Sequence, residues 1–331
     1  MARPDPARSR RIMDRLKLRH LRLIDAIVEA RSLSAAAAML NITQPAASKG
    51  LREIEDLLGL PLFVRSARGL TLTMFGRSLV AHGKTIQSEV RHITEELEAV
   101  ADGNAGEVRV GAMLVSLPWL LPAALRLMRE RAGQAPVRII EGVQDVLVQE
   151  LRSGAVDMIV GRLAPIDTRE RLTQEVLLHE PMVVVAGARH PLTRQAVSYA
   201  DLAACRWILP PADSVVHSSV LQLFAQHGLA NPEPFVETTS YLMSRTLMIE
   251  QDAIAALPLA VVRRDIERGD LAMLPVRFPH EPLAVGVVTV AERRLSPAAS
   301  QLMFCLREVA KDAVPALVPV LEPTRPARRR R

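Results

Sequence analysis

The amino-acid sequence predicts an α+β chain of several domains: an N-terminal winged helix-turn-helix, a long linker helix, and a C-terminal α/β body of two subdomains. Three observations carry this expectation. Residues 14–72 hold three short helical periodicities followed by a two-stranded basic hairpin. Residues 73–102 form one heptad-patterned stretch that stops at "DGNAG", residues 102–106. From Glu107 onward, continuous apolar strand runs alternate with helical ones, which points to parallel sheets covered on both faces.

The totals agree with a soluble protein of two or three domains. The chain has 331 residues, 49% of them hydrophobic and 24% charged. Aromatics make up only 3%, which argues against a surface that stacks many bases or sugars. Net charge is +6, but it is unevenly spread. Residues 1–88 carry 15 Lys/Arg against 7 Asp/Glu, and "EPTRPARRRR" adds five arginines at the other end. The middle of the chain is therefore mildly acidic. A basic N-terminal segment on a near-neutral body suggests a nucleic-acid module with a separate second function.

Cys205 and Cys305 have no CxxC or Cys/His neighbours, as expected of reduced thiols in a cytosolic protein. The N-terminal residues lack the apolar core of a signal peptide, and no apolar run approaches the ~18 residues a bilayer span needs. The expectation is cytoplasmic, with no membrane partner. The eight histidines are scattered without metal-ligand spacing, and there is no Gly-rich phosphate loop or GxSxG elbow. Neither catalysis, a cofactor nor a metal is expected.

The elements follow in order. Residues 1–13 are rich in Pro and Arg and are expected to be disordered. Leu16, Leu21, Ile24, Ile27 and Val28 recur at helical spacing, and that helix ends near Arg31. Ser32 or Ser34 then caps a short second helix through Leu40, since a short hydroxyl can accept from free backbone N–H groups. "NIT" turns the chain. Thr43 is a suitable N-cap, Pro45 fits the first helical turn, and Gly59 stops a third helix over Gln44–Leu58. "LPLFVRSARGLTLT" reads as a hairpin with Ser66-Ala67-Arg68-Gly69 at its tip.

Thr73 opens the long helix, residues 73–102. Leu79, Ile86, Ile93 and Val100 are spaced by sevens, with Val90 and Leu97 four residues after two of them. Such a seam suits pairing with a second helix; the alternative is a stripe packed on its own domain. Beyond it come strands at "EVRVGAML", "VRIIEG" and "VDMIVGRL", and, after "EPMVVVAGARHPL", at "WILPP", "PFVETTS", "IAALP" and "EPLAVGVVTV". Helices are expected at "LPWLLPAALRLMRERAG", "DVLVQELRSG", 214–227, 240–250, 258–268 and "SPAASQLMFCLREVAKD". Residues 312–331 are expected to be a disordered basic tail, and no fixed-period repeat is present.

Three short helices and a basic hairpin make a winged helix-turn-helix, whose third helix enters the major groove of double-stranded DNA. Gln44, Ser48 and Arg52 lie on one face at i, i+4 and i+8, with Lys49 beside them. Gln pairs with adenine, Ser with several bases, and Lys or Arg with guanine. Small residues such as Ala46 permit close approach, and Ser34 and Pro45 complete the expected contact surface. Arg65 and Arg68 on the wing suit phosphates or the minor groove. Lys49 and Arg52 also fit a plainer role as solvated charges, with Glu53, Glu55 or Asp56 as local partners for Arg52.

The stretch "LRLIDAIVEARSLSAAAAMLNITQPAASKGLREIEDLLGLPLFVRSARGLTLTMFG" resembles the DNA-binding segment of LysR-type transcriptional regulators. The likeness lies in Ser-Leu-Ser-Ala-Ala, Thr-Gln-Pro-Ala-Ala-Ser, Leu-Arg-Glu-Ile-Glu, Leu-Gly-x-Pro-Leu-Phe-x-Arg, and Leu72 to Gly76. Lys49-Gly50 stands where Arg-Gln is common, and Met74-Phe75 where a small residue often precedes the glycine. The resemblance spans residues 16 to about 311. It implies a dimerising linker helix, tetramers on promoter DNA, contact with RNA polymerase, and a type 2 periplasmic-binding-protein-like body that holds a small effector in its cleft. Mapped here, the body is 107–311, with one subdomain at 107–182 plus 284–311 and the other at 183–283.

Ligands of open α/β sheets bind beyond the carboxyl ends of strands, often at helix N-termini. By that rule Val115, Ser116, Arg162, Ser214, Thr239 and Ser240 are the effector-site candidates. Relatives often carry Ser or Thr where Val115 stands, which leaves Ser116 as the nearest hydroxyl. Each candidate also fits an ordinary helix cap or exposed polar role. Arg162 either clamps an anionic effector or sits outward in the hinge. The resemblance leans toward regulators of aromatic-acid or sugar uptake and catabolism. A purely architectural DNA binder is the competing reading, but it leaves about 200 residues of two-lobed body unexplained.

Overall fold

The structure is a computed structural model. It describes residues 6–66, 69–102, 106–132, 135–164, 171–212, 214–276, 278, 282–291 and 293–317. The chain divides into two compact units, one built on Met1–Asn104 with Arg152–Ala155 and the other on Ala105–Leu151 with Val156–Arg331.

The first unit starts with a helix, α1 (Pro6–Arg15), where disorder was expected up to residue 13. A Pro/Arg-rich composition argues for solvation, yet "ARSRRIMDR" contains no helix breaker after its first turn, and Pro6 stands where a proline is tolerated. Next come α2 (Leu18–Ala30), α3 (Leu33–Met39) and α4 (Gln44–Leu58). Ser32, not Ser34, caps α3: its Oγ accepts from Ala35 N at 3.5 Å. Ala36 and Ala37 are buried while Ala35 and Ala38 are exposed, so half of the alanine run packs and half is simply good helix.

Thr43 caps α4 by accepting from Ala46 N at 3.4 Å, and Gly59 ends it in the left-handed conformation, φ 63°. Ala47, Leu51 and Ile54 turn inward onto Ile24 and Ile27 of α2. The wing is β1 (Phe63–Ser66) paired antiparallel with β2 (Gly69–Leu72). Glu55 on α4 ties it down, accepting from Leu62 N at 2.7 Å. The long helix α5 (Met74–Asp102) begins at Thr73, whose Oγ1 accepts from Gly76 N at 3.0 Å. It lies close on α2: a Cβ at Gly83 would sit 3.3 Å from Leu21, and Gln87 Nε2 donates to Asp25 Oδ2 at 2.5 Å.

The second unit contains two five-stranded sheets. The first has the order β4-β3-β5-β12-β6, from β3 (Val108–Ala112), β4 (Val137–Glu141), β5 (Met158–Arg162), β6 (Leu172–Glu180) and β12 (Leu283–Val290). Strands β3, β4 and β5 run parallel, while β12 is antiparallel to both β5 and β6. Helices α6 (Leu120–Ala132) and α12 (Pro297–Leu317) cover one face, and α7 (Gln144–Ser153) covers the other.

The second sheet has the order β11-β7-β10-β8-β9, from β7 (Met182–Gly187), β8 (Arg206–Leu209), β9 (Pro234–Glu237), β10 (Ala253–Pro258) and β11 (Leu271–Met273). Buried Trp207 and Phe224 fill one side beneath α8 (Tyr199–Ala203) and α9 (Val215–Gln226). Leu247, Met248, Val261 and Val262 fill the other beneath α10 (Tyr241–Glu250) and α11 (Leu259–Arg268). The chain changes sheets at Pro181 and again between Met273 and Leu283, close to the subdomain limits the resemblance implies. Sequence reading missed α1, β6, α8 and β11. The final helix also runs on to Leu317, past the expected start of a disordered tail at 312; residues 318–331 lie outside the described residues.

Candidate nucleic-acid interface and ligand cavity

On α4, the residues whose burial builds the core leave a complementary polar face. Gln44, Pro45, Ala46, Lys49 and Arg52 are exposed, and Ser48 is half-buried. Lys49 Nζ lies 3.9 Å from Glu53 Oε1, an i,i+4 pair open to solvent and worth little. Arg52 does not pair with Glu53, Glu55 or Asp56 among the described residues; its Nε donates to Ser48 O at 3.4 Å. Ser34 is exposed on α3. Arg65 sits on β1 opposite Leu70, one residue before the hairpin end, and Arg68 lies outside the described residues. The face thus offers an amide, a hydroxyl and two cations with small residues between them, groups that can read base edges in a major groove.

The seam on α5 needs one correction. Leu79 packs against the core of the first unit with Val80, so burial within its own chain already accounts for it. Ile86, Val90, Ile93 and Leu97 remain on the surface, with exposures of 42%, 39%, 57% and 65%. Their i, i+4, i+7, i+11 spacing makes one apolar stripe along the helix. The side chain of Val100 lies outside the described residues.

Between the two sheets of the second unit lies a cavity of about 190 Å³. Val115, Arg162, Ser214 and Thr239 line it, as the strand-end rule anticipates. Ser116 and Ser240 do not. The Ser116 side chain is fully buried in the short turn after β3, its Oγ 2.8 Å from Met113 O and 2.9 Å from Val160 O. Its hydroxyl stitches that turn to β5 and cannot face a ligand. Ser240 is the exposed N-cap of α10, accepting from Met243 N at 3.3 Å. Ser214 likewise caps α9 through Val216 N at 3.2 Å, but from inside the cavity lining.

Several cavity residues had no sequence signal. Met113, Leu114, Met182, Ile208, Ala255 and Val285 supply apolar wall. Tyr241 lines it with its ring, while its hydroxyl donates to Asp265, which Arg245 also holds at 3.0 Å. Burial and that carboxylate push the Tyr241 phenol above its ordinary range. Glu180, at the end of β6, is 1% exposed. Its Oε1 accepts from Ala260 N, in the first turn of α11, at 2.5 Å, while Oε2 is buried with no partner among the described residues. Burial raises its pKa to about 7, against the opposing pull of the Ala260 N–H and the Arg263 charge. Arg162 is also shifted by burial, downward, and among the described residues its guanidinium has no hydrogen bond or ion pair.

No helix among the described residues is long and apolar enough to cross a membrane. Among them, too, no three His, Cys, Asp or Glu side chains group as metal ligands would.

A basic winged helix joined to a two-sheet body with a largely apolar cavity defines a class: a DNA-binding regulator with a ligand-sensing domain. Residues 18–77 match the family model described as bacterial regulatory helix-turn-helix protein, lysR family, and residues 101–311 match the LysR substrate binding domain. The chain belongs to the LysR family of DNA-binding transcriptional regulators. It is 33% identical over 296 residues to the HTH-type transcriptional regulator GalR of Pseudomonas putida, covering 89% of this chain and 74% of that one. Against GbpR of Azospirillum brasilense, also an HTH-type transcriptional regulator, identity is 31% over 297 residues, or 88% and 86% of the two chains. In fold it is similar to the crystal structure of CbnR, a LysR family transcriptional regulator, with a TM-score of 0.68 at 21% identity over 90% of this chain and 100% of that one. These names are those of regulators, not enzymes.

Proposed function

We propose that α4 reads operator bases through Gln44, Ser48, Lys49 and Arg52, with Ser34, Pro45 and Ala46 shaping the approach and Arg65 and Arg68 on the wing holding the backbone. The observation that carries this is the division of α4: Ala47, Leu51 and Ile54 are buried, and the polar residues face out. The apolar stripe Ile86, Val90, Ile93 and Leu97 is the pairing surface of a homodimer, since four exposed aliphatics in a row on one helix are stabilised by burial against a copy. Two such dimers assemble on promoter DNA in the cytoplasm as a homotetramer, within reach of RNA polymerase.

The cavity takes a small effector, an anion by virtue of Arg162, and its occupancy alters the affinity for DNA. Val115, Arg162, Ser214 and Thr239 remain as contact candidates, with an aromatic acid or a sugar derivative as the ligand type. Metabolite screening by thermal shift, followed by footprinting of the bound fragment, tests the reading. A compound that raises the melting temperature and changes the footprint supports it; the absence of any such compound removes the sensor role.

A further inference from the structure

The register of the first sheet fixes two polar groups on the floor of the cavity. Arg162 on β5 lies opposite Val285 of β12, and Glu180 on β6 lies opposite Leu283. Directly opposed residues of antiparallel strands share a face, and so do residues two apart on one strand. Arg162, Val285, Leu283 and Glu180 thus belong to one face, and all four line the cavity. The two polar residues stand at opposite corners. Two strand spacings put them about 10 Å apart across the sheet, and two residues of rise add about 7 Å along it.

Most other polar side chains in the lining already hold a hydrogen-bond partner. Tyr241 donates to Asp265, and Ser244 Oγ donates to Ser240 O at 3.0 Å. Ser214 and Thr238 accept from the backbone N–H groups of Val216 and Ser240. Thr239 is exposed to solvent, and what stays open away from solvent is the Arg162 guanidinium and Glu180 Oε2, a buried oxygen with no partner among the described residues. A volume of about 190 Å³ suits one substituted ring, since a dry cavity of roughly 150 Å³ holds benzene.

We propose, resting on the reading of the cavity as the effector site, that the ligand is a compact monocarboxylic acid bearing a hydroxyl across a ring-sized apolar body. Arg162 binds its carboxylate and Glu180 Oε2 its hydroxyl. The carboxylate gains a bidentate partner. The hydroxyl serves either state of Glu180, accepting from the carboxyl or donating to the carboxylate. An ammonium in its place would require a second buried ion pair in an apolar cavity, at a further desolvation cost.

Isothermal titration of the full-length protein with 4-hydroxybenzoate, benzoate, phenol and 4-(aminomethyl)benzoate tests this. 4-Hydroxybenzoate should bind roughly tenfold to a hundredfold more tightly than benzoate or phenol, because each truncation leaves a buried polar group unmatched. Glu180→Ala should bring it to the level of benzoate and Arg162→Ala to that of phenol. Glu180→Gln, which can still donate and accept, should keep the preference for the hydroxyl and shows that loss in the alanine variant is not misfolding. Equal affinities across the panel, a preference for the amine, indifference to Glu180→Ala, or no binding by any of the four overturns the assignment. An Ala255→Trp variant, which fills the cavity, separates the two levels. If a ligand of any chemistry binds the wild type and not this variant, the effector cavity stands whatever the fate of the hydroxy acid. If ligands bind both alike, the cavity reading itself fails.

Discussion

The face of α4 and the floor of the cavity are the two surfaces proposed to carry function, and they are built in opposite ways. On α4 the side chains proposed to read DNA come from nine consecutive residues, Gln44–Arg52, and one helical period sorts them from the core. In the cavity, Arg162, Glu180 and Val285 are brought together by strands distant in sequence, and only the pairing β5-β12-β6 makes them neighbours. The first surface is exposed and tolerant of substitution in energetic terms. The second is buried, so every polar group in it must be matched or charged to folding. Change at α4 should alter which DNA is bound; change in the cavity should alter stability and ligand response together.

That contrast can be broken or sharpened at four points. The largest effect is expected outside both surfaces, on the apolar stripe of α5. Ile86→Asp combined with Ile93→Asp should convert dimers to monomers in analytical ultracentrifugation, and an unchanged sedimentation profile would remove the stripe as an interface. Next is Glu180. With its carboxyl near neutral pKa in the folded protein and at 4.5 when unfolded, the folded state holds the proton longer as pH rises. Its contribution is therefore fully present below pH 4.5 and fades as pH climbs through 7, by up to about 3 kcal/mol. Glu180→Gln should flatten that decline relative to wild type in chemical-denaturation series. Parallel curves for the two proteins would show the carboxyl to be solvated after all.

Smaller effects belong to the exposed face. Gln44→Ala or Arg52→Ala should cost about 1–3 kcal/mol at particular base pairs while leaving the melting temperature nearly unchanged. Arg68→Ala should weaken all sequences alike and lessen the salt dependence of binding. The smallest change distinguishes a structural hydroxyl from a ligand contact. Ser116→Ala removes the hydroxyl bonds to Met113 O and Val160 O, each of which keeps a backbone N–H donor, and should destabilise by about 1 kcal/mol with no effect on ligand affinity. A changed ligand affinity at constant stability would return Ser116 to the cavity.

How far each region could be read from sequence follows from the same difference. The limits of α4 were legible to the residue because Thr43, Pro45 and Gly59 are local signals whose physics needs no tertiary context. The central strands were legible as unbroken apolar runs. Strand β6 was not: it lies at a sheet edge, and "LTQEVLLHE" keeps several side chains in solvent. The three-residue β11, at the edge of the other sheet, and the five-residue α8 are too short to show a period. In the cavity, the strand-end rule found Val115, Arg162, Ser214 and Thr239 but could not tell Ser116, aimed inward, from its neighbour. Glu180 ends a strand the sequence did not reveal, and only strand register sets it across from Arg162.

Selection of bound sequences from a random DNA pool tests the division of labour most directly, run in parallel on the wild type, Gln44→Ala, Arg52→Ala and the cavity-filling Ala255→Trp. The account predicts that both α4 variants enrich a motif altered at specific positions, while Ala255→Trp returns the wild-type motif. An unaltered motif from both α4 variants, or a new motif from Ala255→Trp, would contradict it.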